Sequence, residues 1–169
     1  MEDGRTVGNV SEDHHRRSLR LKGYDYCLEG AYFMTIVAQG RIPLFGAVVD
    51  GEMRLSEPGR MVADIWDGLR SHYPGVDTDV FVIMPNHVHG VVVLVAAGPR
   101  ACPSPNRGQP QGVATTMSLP DVVHRFKTLT TRRYADGVKQ HGWQPFAGRL
   151  WQPNYYEHVV RNEFELNCI

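Results

Sequence analysis

Apolar positions along this chain change their period several times, and each period predicts an element. Residues 31–38 read AYFMTIVA, aromatic and β-branched after Gly30, which predicts a buried strand. Two short extended runs, 45–49 and 52–55, flank Asp50-Gly51, a strong hairpin-turn dipeptide. Met61, Ile65, Leu69 and Tyr73 then recur about every four residues behind Ser56 and Pro58, so a capped amphipathic helix is expected over 57–72, ended by Pro74-Gly75. Val80, Val82 and Met84 alternate, and 89–95 is almost continuously apolar, which predicts two central strands. Leu119, Val122, Val123, Phe126 and Leu129 return to helical spacing behind Pro120 and Asp121, giving a second helix to about Asp136 with Gly137 as its stop. Residues 154–160 read as extended, and a short helical start follows at Asn162.

Between these elements lie stretches that build no core. Residues 1–13 are polar and without hydrophobic period, a flexible tail ahead of one domain over 14–169. Residues 97–112 are rich in Gly, Pro, Gln, Ser and Arg and form a low-complexity loop inside that domain. Lysine plus arginine (18) equal aspartate plus glutamate (18), so any contact with a polyanion has to come from local patches. Three well-separated cysteines, Cys27, Cys102 and Cys168, argue against a disulfide framework and a zinc ribbon. With no apolar segment near the roughly 20 residues of a membrane span and no signal-peptide pattern, a soluble protein of the reducing cytoplasm is expected, with no membrane partner.

The chemistry concentrates in Pro85-Asn86-His87-Val88-His89-Gly90, at the head of an apolar strand. Residues two apart in a strand face the same way, so both imidazoles project together as a two-nitrogen metal site. Sharing parity with Val91, Val93 and Val95, the histidine face is expected to continue as core, with the imidazoles at the strand mouth. Two neutral imidazoles suit Zn, Mn, Ni or Fe, and with water and an oxygen ligand also Mg, so spacing alone leaves the ion open. His158 or Glu157 would have to supply any third protein ligand. On its own, His-x-His on a strand is more often a structural or incidental pair, and a metal-dependent hydrolase that uses water as nucleophile is a competing reading.

The wider pattern narrows this choice. Arg16-Arg17-Ser18 with LRLKGYDY (19–26), GAYF (30–33), LFG (44–46), FVIMPNHVHG (81–90), and LWQPNYYEH (150–158) through Arg161-Asn162-Glu163 closely resemble the REP-associated tyrosine transposases. These are single-tyrosine HUH transposases, related to those of insertion sequences that move as single strands. The resemblance runs from about Arg16 to Ile169. It implies an α+β, ferredoxin-like antiparallel sheet with helices packed on one face, the HUH nuclease core. It also implies that His87 and His89 hold a divalent metal, Mg or Mn. The partner would be hairpin or single-stranded DNA, cleaved and rejoined through a 5′-phosphotyrosine.

In that family the nucleophile lies on a helix after the Arg-Asn-Glu segment, in a stretch reading roughly Tyr-Ile-x-x-Asn-Pro. Residues 161–169 match the start of that helix, and the tyrosine is expected about one turn beyond Ile169. The chain is thus expected to be C-terminally truncated, a hairpin-binding remnant without its own nucleophile or one served by an intact transposase in trans. Tyr155 and Tyr156 match an aromatic pair upstream of the nucleophile and are secondary catalytic candidates. Two basic clusters offer phosphate contacts: Arg16, Arg17, Arg20 and Lys22 with His14 and His15, and Arg125, Lys127, Arg132, Arg133 and Lys139 on the second helix. Tyr24, Tyr26, Trp151, Tyr155 and Tyr156 are candidates for stacking on unpaired bases.

Overall fold

Alternation decides the first strand: in β1 (Gly30–Val37), Tyr32, Met34 and Ile36 are fully buried on one side while their neighbours are half-buried. The structure is a computed structural model that describes residues 24–95 and 117–162. A 3-10 turn (Gln39–Arg41) follows β1, and then the expected hairpin, β2 (Gly46–Val49) paired with β3 (Glu52–Leu55). Asp50 (φ 54°) and Gly51 (φ 81°) sit in the left-handed region that a two-residue hairpin turn demands.

Helix α1 (Glu57–His72) starts where its cap predicts, with the Ser56 hydroxyl accepting from the Gly59 amide at 3.2 Å. Strand β4 (Val76–Met84) begins four residues before the expected start and carries an irregularity between Thr78 and Phe81, where the register shifts. Strand β5 (His87–Leu94) carries the His-x-His motif. Helix α2 (Leu119–His141) opens on a Ser118/Asp121 capping box and runs past Gly137 to a left-handed Gly142. Gly137 is a packing position rather than a stop: a Cβ there would meet the Trp143 ring at 2.2 Å. Strand β6 (Tyr156–Val160) closes the described chain.

The four-stranded sheet has the order β4-β5-β1-β6, antiparallel throughout, with α1 following β1 and α2 following β5. Setting the β2–β3 hairpin aside, this is the split β-α-β repeated twice, an α+β ferredoxin-like sheet with both helices on one face. Trp66 of α1 joins the layers, stacked on Phe81 of β4 at 4.3 Å and edge-on to Phe126 of α2 at 5.7 Å. Gly90 permits that approach, because a Cβ there would lie 2.6 Å from the Trp66 ring.

The helix-facing side of β5 is Val88, Gly90, Val92 and Leu94, not the histidine side. This corrects the expectation that the histidine face runs on as the core. The strand is apolar on both faces, so parity assigns residues to two sides without saying which one the helices cover. Val91, on the histidine side, is also fully buried but stands outside the main core cluster. The tail 1–13, the loop 97–112, Arg16, Arg17, Arg20 and Lys22, and the segment from residue 163 onward lie outside the described residues.

Candidate functional site

Strand pairing builds a row of side chains across the sheet face opposite the helices. His89 pairs with Thr35 of β1, Thr35 pairs with Tyr156 of β6, and His87 pairs with Val37. The two imidazoles meet edge to face with ring centres 4.7 Å apart, and Phe33 stacks on His89 at 5.5 Å.

Each ring is held through its Nδ1. Asn86 Nδ2 donates to the Arg41 carbonyl at 3.1 Å, which leaves Asn86 Oδ1 as an acceptor 2.7 Å from His87 Nδ1. His87 therefore carries its proton on Nδ1 and keeps the Nε2 lone pair. His89 Nδ1 lies 2.8 Å from the Thr35 hydroxyl, which can accept from it and leave Nε2 in the same condition. Arg41 takes part through its backbone: its φ of 56° is uncommon for a non-glycine residue, and it carries the carbonyl that Asn86 reads.

Burial holds the His87 pKa below its usual value, with the Arg41 charge adding to the effect; burial and then His87 do the same for His89. Both rings are thus neutral at pH 7. Neutral imidazoles with Nδ1 occupied and Nε2 available are what a divalent ion of the Mn or Zn type requires, so the residues present fit such a group. Among the described residues no group of three or more His, Cys, Asp or Glu converges to hold a metal, so the donor set found here is the two imidazoles.

Strand parity also separates the other candidates. Glu157 pairs with Met34 on the helix side, with both carboxylate oxygens buried and without a partner, so it cannot join His87 and His89. His158 pairs with Phe33 and shares the histidine face. Tyr156 is 51% exposed on that face, whereas Tyr155 lies under Lys127, whose ammonium is 5.7 Å from its ring. Trp151 and Tyr26 are buried core residues, Trp151 stacked on Phe45 at 4.9 Å, which removes both from the base-stacking candidates.

Arg125, Arg132 and Arg133 are exposed on α2, in the layer across the sheet from the imidazoles, and the fold does not bring them to the histidine site. Lys127 points inward, donating to the carbonyls of Gln152, Pro153 and Asn154 at 2.8, 3.4 and 3.0 Å. Sequence reasoning passed over Asn86, Thr35 and Arg41. Asn86 sat inside the motif as a visible signal, but Thr35 reaches His89 only through strand register.

The class this geometry defines is a ferredoxin-like α+β protein with a paired-histidine site on the sheet face opposite its helices. Among solved structures, the chain is similar to a REP-associated tyrosine transposase bound to a REP hairpin, with a TM-score of 0.53 and 17% identity over 86% of this chain. It spans 64% of that protein's length. It is likewise similar to a candidate transposase from Deinococcus radiodurans, with a TM-score of 0.50 and 20% identity over 88% of this chain and 91% of the other. At these identities the likeness establishes the fold. No family model matches the sequence. An uncharacterized protein of Haemophilus influenzae is 35% identical over 156 residues, 89% of this chain and 81% of the relative, and the chain belongs to one family with it.

Proposed function

We propose that this chain is a DNA-binding protein of the single-tyrosine HUH transposase type, holding hairpin-bearing single-stranded DNA against its histidine face with a divalent cation, Mg²⁺ or Mn²⁺, on His87 and His89. The observation that carries this reading is the pair of neutral imidazoles, each tied through Nδ1, on the helix-free face of a sheet whose fold is shared with transposase structures. One of those neighbours is itself bound to a REP hairpin. A divalent cation there supplies positive charge to offset a non-bridging oxygen of the scissile phosphate. Asn86 and Thr35 hold the imidazoles, and Phe33 screens one side of His89 from water. In transposases of that type the same site would serve cleavage and rejoining through a 5′-phosphotyrosine.

A second reading, a hairpin-binding protein without cleavage of its own, is favoured by one observation. Tyr156 is the described tyrosine on the histidine face, and it makes no hydrogen bond to a base among the described residues. A second transposase acting in trans would then supply the nucleophile. The shared core of both readings is tested by calorimetry with Mn²⁺ and by fluorescence anisotropy with a labelled DNA hairpin. Mn²⁺ binding is expected in the parent and lost in His87→Ala and His89→Ala, each still folded by circular dichroism. Unchanged Mn²⁺ binding in both variants would remove the metal assignment, and absence of hairpin binding by the parent would remove the DNA reading.

A further inference from the structure

Helix α1 carries more apolar surface than the core encloses. Val62, Trp66 and Leu69 are buried between the helix and the rest of the core. Met61 and Ile65 stand one position before Val62 and Trp66, about 100° round the helix, and are only half-buried. Of the row Met61, Ile65, Leu69 and Tyr73, which the sequence presents as one face, Leu69 alone is buried. The other three, with Leu129 of α2, line a groove of about 320 Å³ between the two helices. No strand residue lines it among those described, so it opens on the outer surface of the helix layer.

Two opposite charges flank these apolar walls. Asp64 stands on the α1 rim and Arg133 on the α2 rim, both exposed, and neither has a hydrogen bond or an ion pair among the described residues. Leu129, beside them, is 37% exposed. A two-fold contact requires one patch to be complementary to itself, and an apolar groove with an acid on one helix and a base on the other meets that condition. A bilayer gains nothing from the acid, and an unrelated protein has to match both charges by its own sequence, whereas a second copy matches them by symmetry. With 18 basic and 18 acidic residues, two copies approach without long-range repulsion.

We propose that this groove is the contact between two copies of the chain, with a two-fold axis along it that lays α1 of each copy on α2 of the other and sets each Asp64 against the other copy's Arg133. Its size fixes its strength. The 16 residues of α1 span about 24 Å, and two helices side by side about 20 Å, so each copy offers roughly 500 Å². Two such faces bury about 1,000 Å², the low end for a specific contact, and the dimer dissociates in the micromolar range. The contact goes beyond the DNA reading and does not depend on it. Joined to that reading, it leaves the two histidine faces pointing away from each other, one for each of two hairpins.

Sedimentation velocity on the full chain, without DNA or metal, over a concentration series bracketing the micromolar range tests this. The parent should pass from monomer to dimer. Asp64→Arg alone and Arg133→Asp alone should each weaken association by about tenfold or more, because like charges then face each other. Mixed in equal amounts, the two variants should associate again, since both cross-contacts then pair opposite charges. Leu129→Glu should stay monomeric with the parent's circular dichroism and melting. A parent that is monomeric throughout the series, a dimer indifferent to all three substitutions, or single variants that fail to recover on mixing would each overturn the proposal. None of these outcomes touches hairpin binding, which is read separately by anisotropy.

Discussion

At the scale of single residues, the site depends on which imidazole nitrogen carries the proton. Asn86 fixes this for His87, because its amide nitrogen is committed to the Arg41 carbonyl and only its oxygen remains for the ring. Partners of this kind commonly change metal affinity by about 10–100-fold when removed. Asn86→Ala is therefore expected to weaken Mn²⁺ binding by about that factor while circular dichroism and melting stay near the parent's; an unchanged affinity would show that the ring needs no such holder. Protons compete for the same pair. Both histidines have folded pKa values below the unfolded 6.5, so their contribution to stability is complete above that pH and is lost as pH falls through the folded values. Urea unfolding of the metal-free protein should show stability level above about pH 6.5 and declining below it, and His87→Ala with His89→Ala should flatten that decline.

At the scale of elements, the segment 152–154 is held by a cation rather than by a ladder. The Lys127 ammonium has three donors and directs them to three carbonyls, whereas Arg125, Arg132, Arg133 and Lys139 are the exposed members of the α2 basic cluster. Replacing Lys127 by methionine keeps the stem and removes the donors. Lys127→Met should lower unfolding free energy by about 1–3 kcal/mol in denaturant titrations, whereas Arg132→Met should leave it within about 0.5 kcal/mol. The contrast separates a structural cation from an exposed one that sequence places on the same helix. Elements with local signals were legible: Ser56 and Pro58 fix the start of α1, and Asp50-Gly51 fixes the hairpin. The start of β4 was not, because Asp77, Asp79 and the register shift break its alternation. Nor was the end of α2, where Gly137 is small for the sake of Trp143. The pairing of His87 and His89 on one face followed from their spacing, but the holders of those rings did not. Thr35 is 54 residues from His89, and the Arg41 carbonyl is 45 from Asn86, distances that register and turn geometry close and that no local pattern encodes.

At the scale of the whole molecule, the sheet divides the protein into a helix-covered side that holds the main core and an opposite side that carries the paired histidines. Under the proposed reading, a strand-cleaving tyrosine would have to reach the histidine side, in line with the leaving oxygen of a phosphate held there. Tyr156 is on that side, but β1 lies between its strand and β5, placing its backbone about 10 Å from that of His89. Tyr156 is 51% exposed, with no hydrogen-bonded base among the described residues to take its proton. An attacking oxygen held in line near phosphorus is worth roughly 7–11 kcal/mol, and an exposed side chain on an edge strand forgoes most of it. The 169-residue polypeptide is therefore expected to bind hairpin DNA without forming a covalent adduct, read as the absence of a DNA-linked band that survives SDS. Tyr155→Phe and Tyr156→Phe should change nothing in that assay. Extending the polypeptide with a helix bearing Tyr-Ile-x-x-Asn-Pro, as the family resemblance suggests, should produce an adduct that disappears with His87→Ala. An adduct formed by the unextended polypeptide and abolished by Tyr156→Phe would instead make Tyr156 the nucleophile, and the row His89-Thr35-Tyr156 the reaction coordinate.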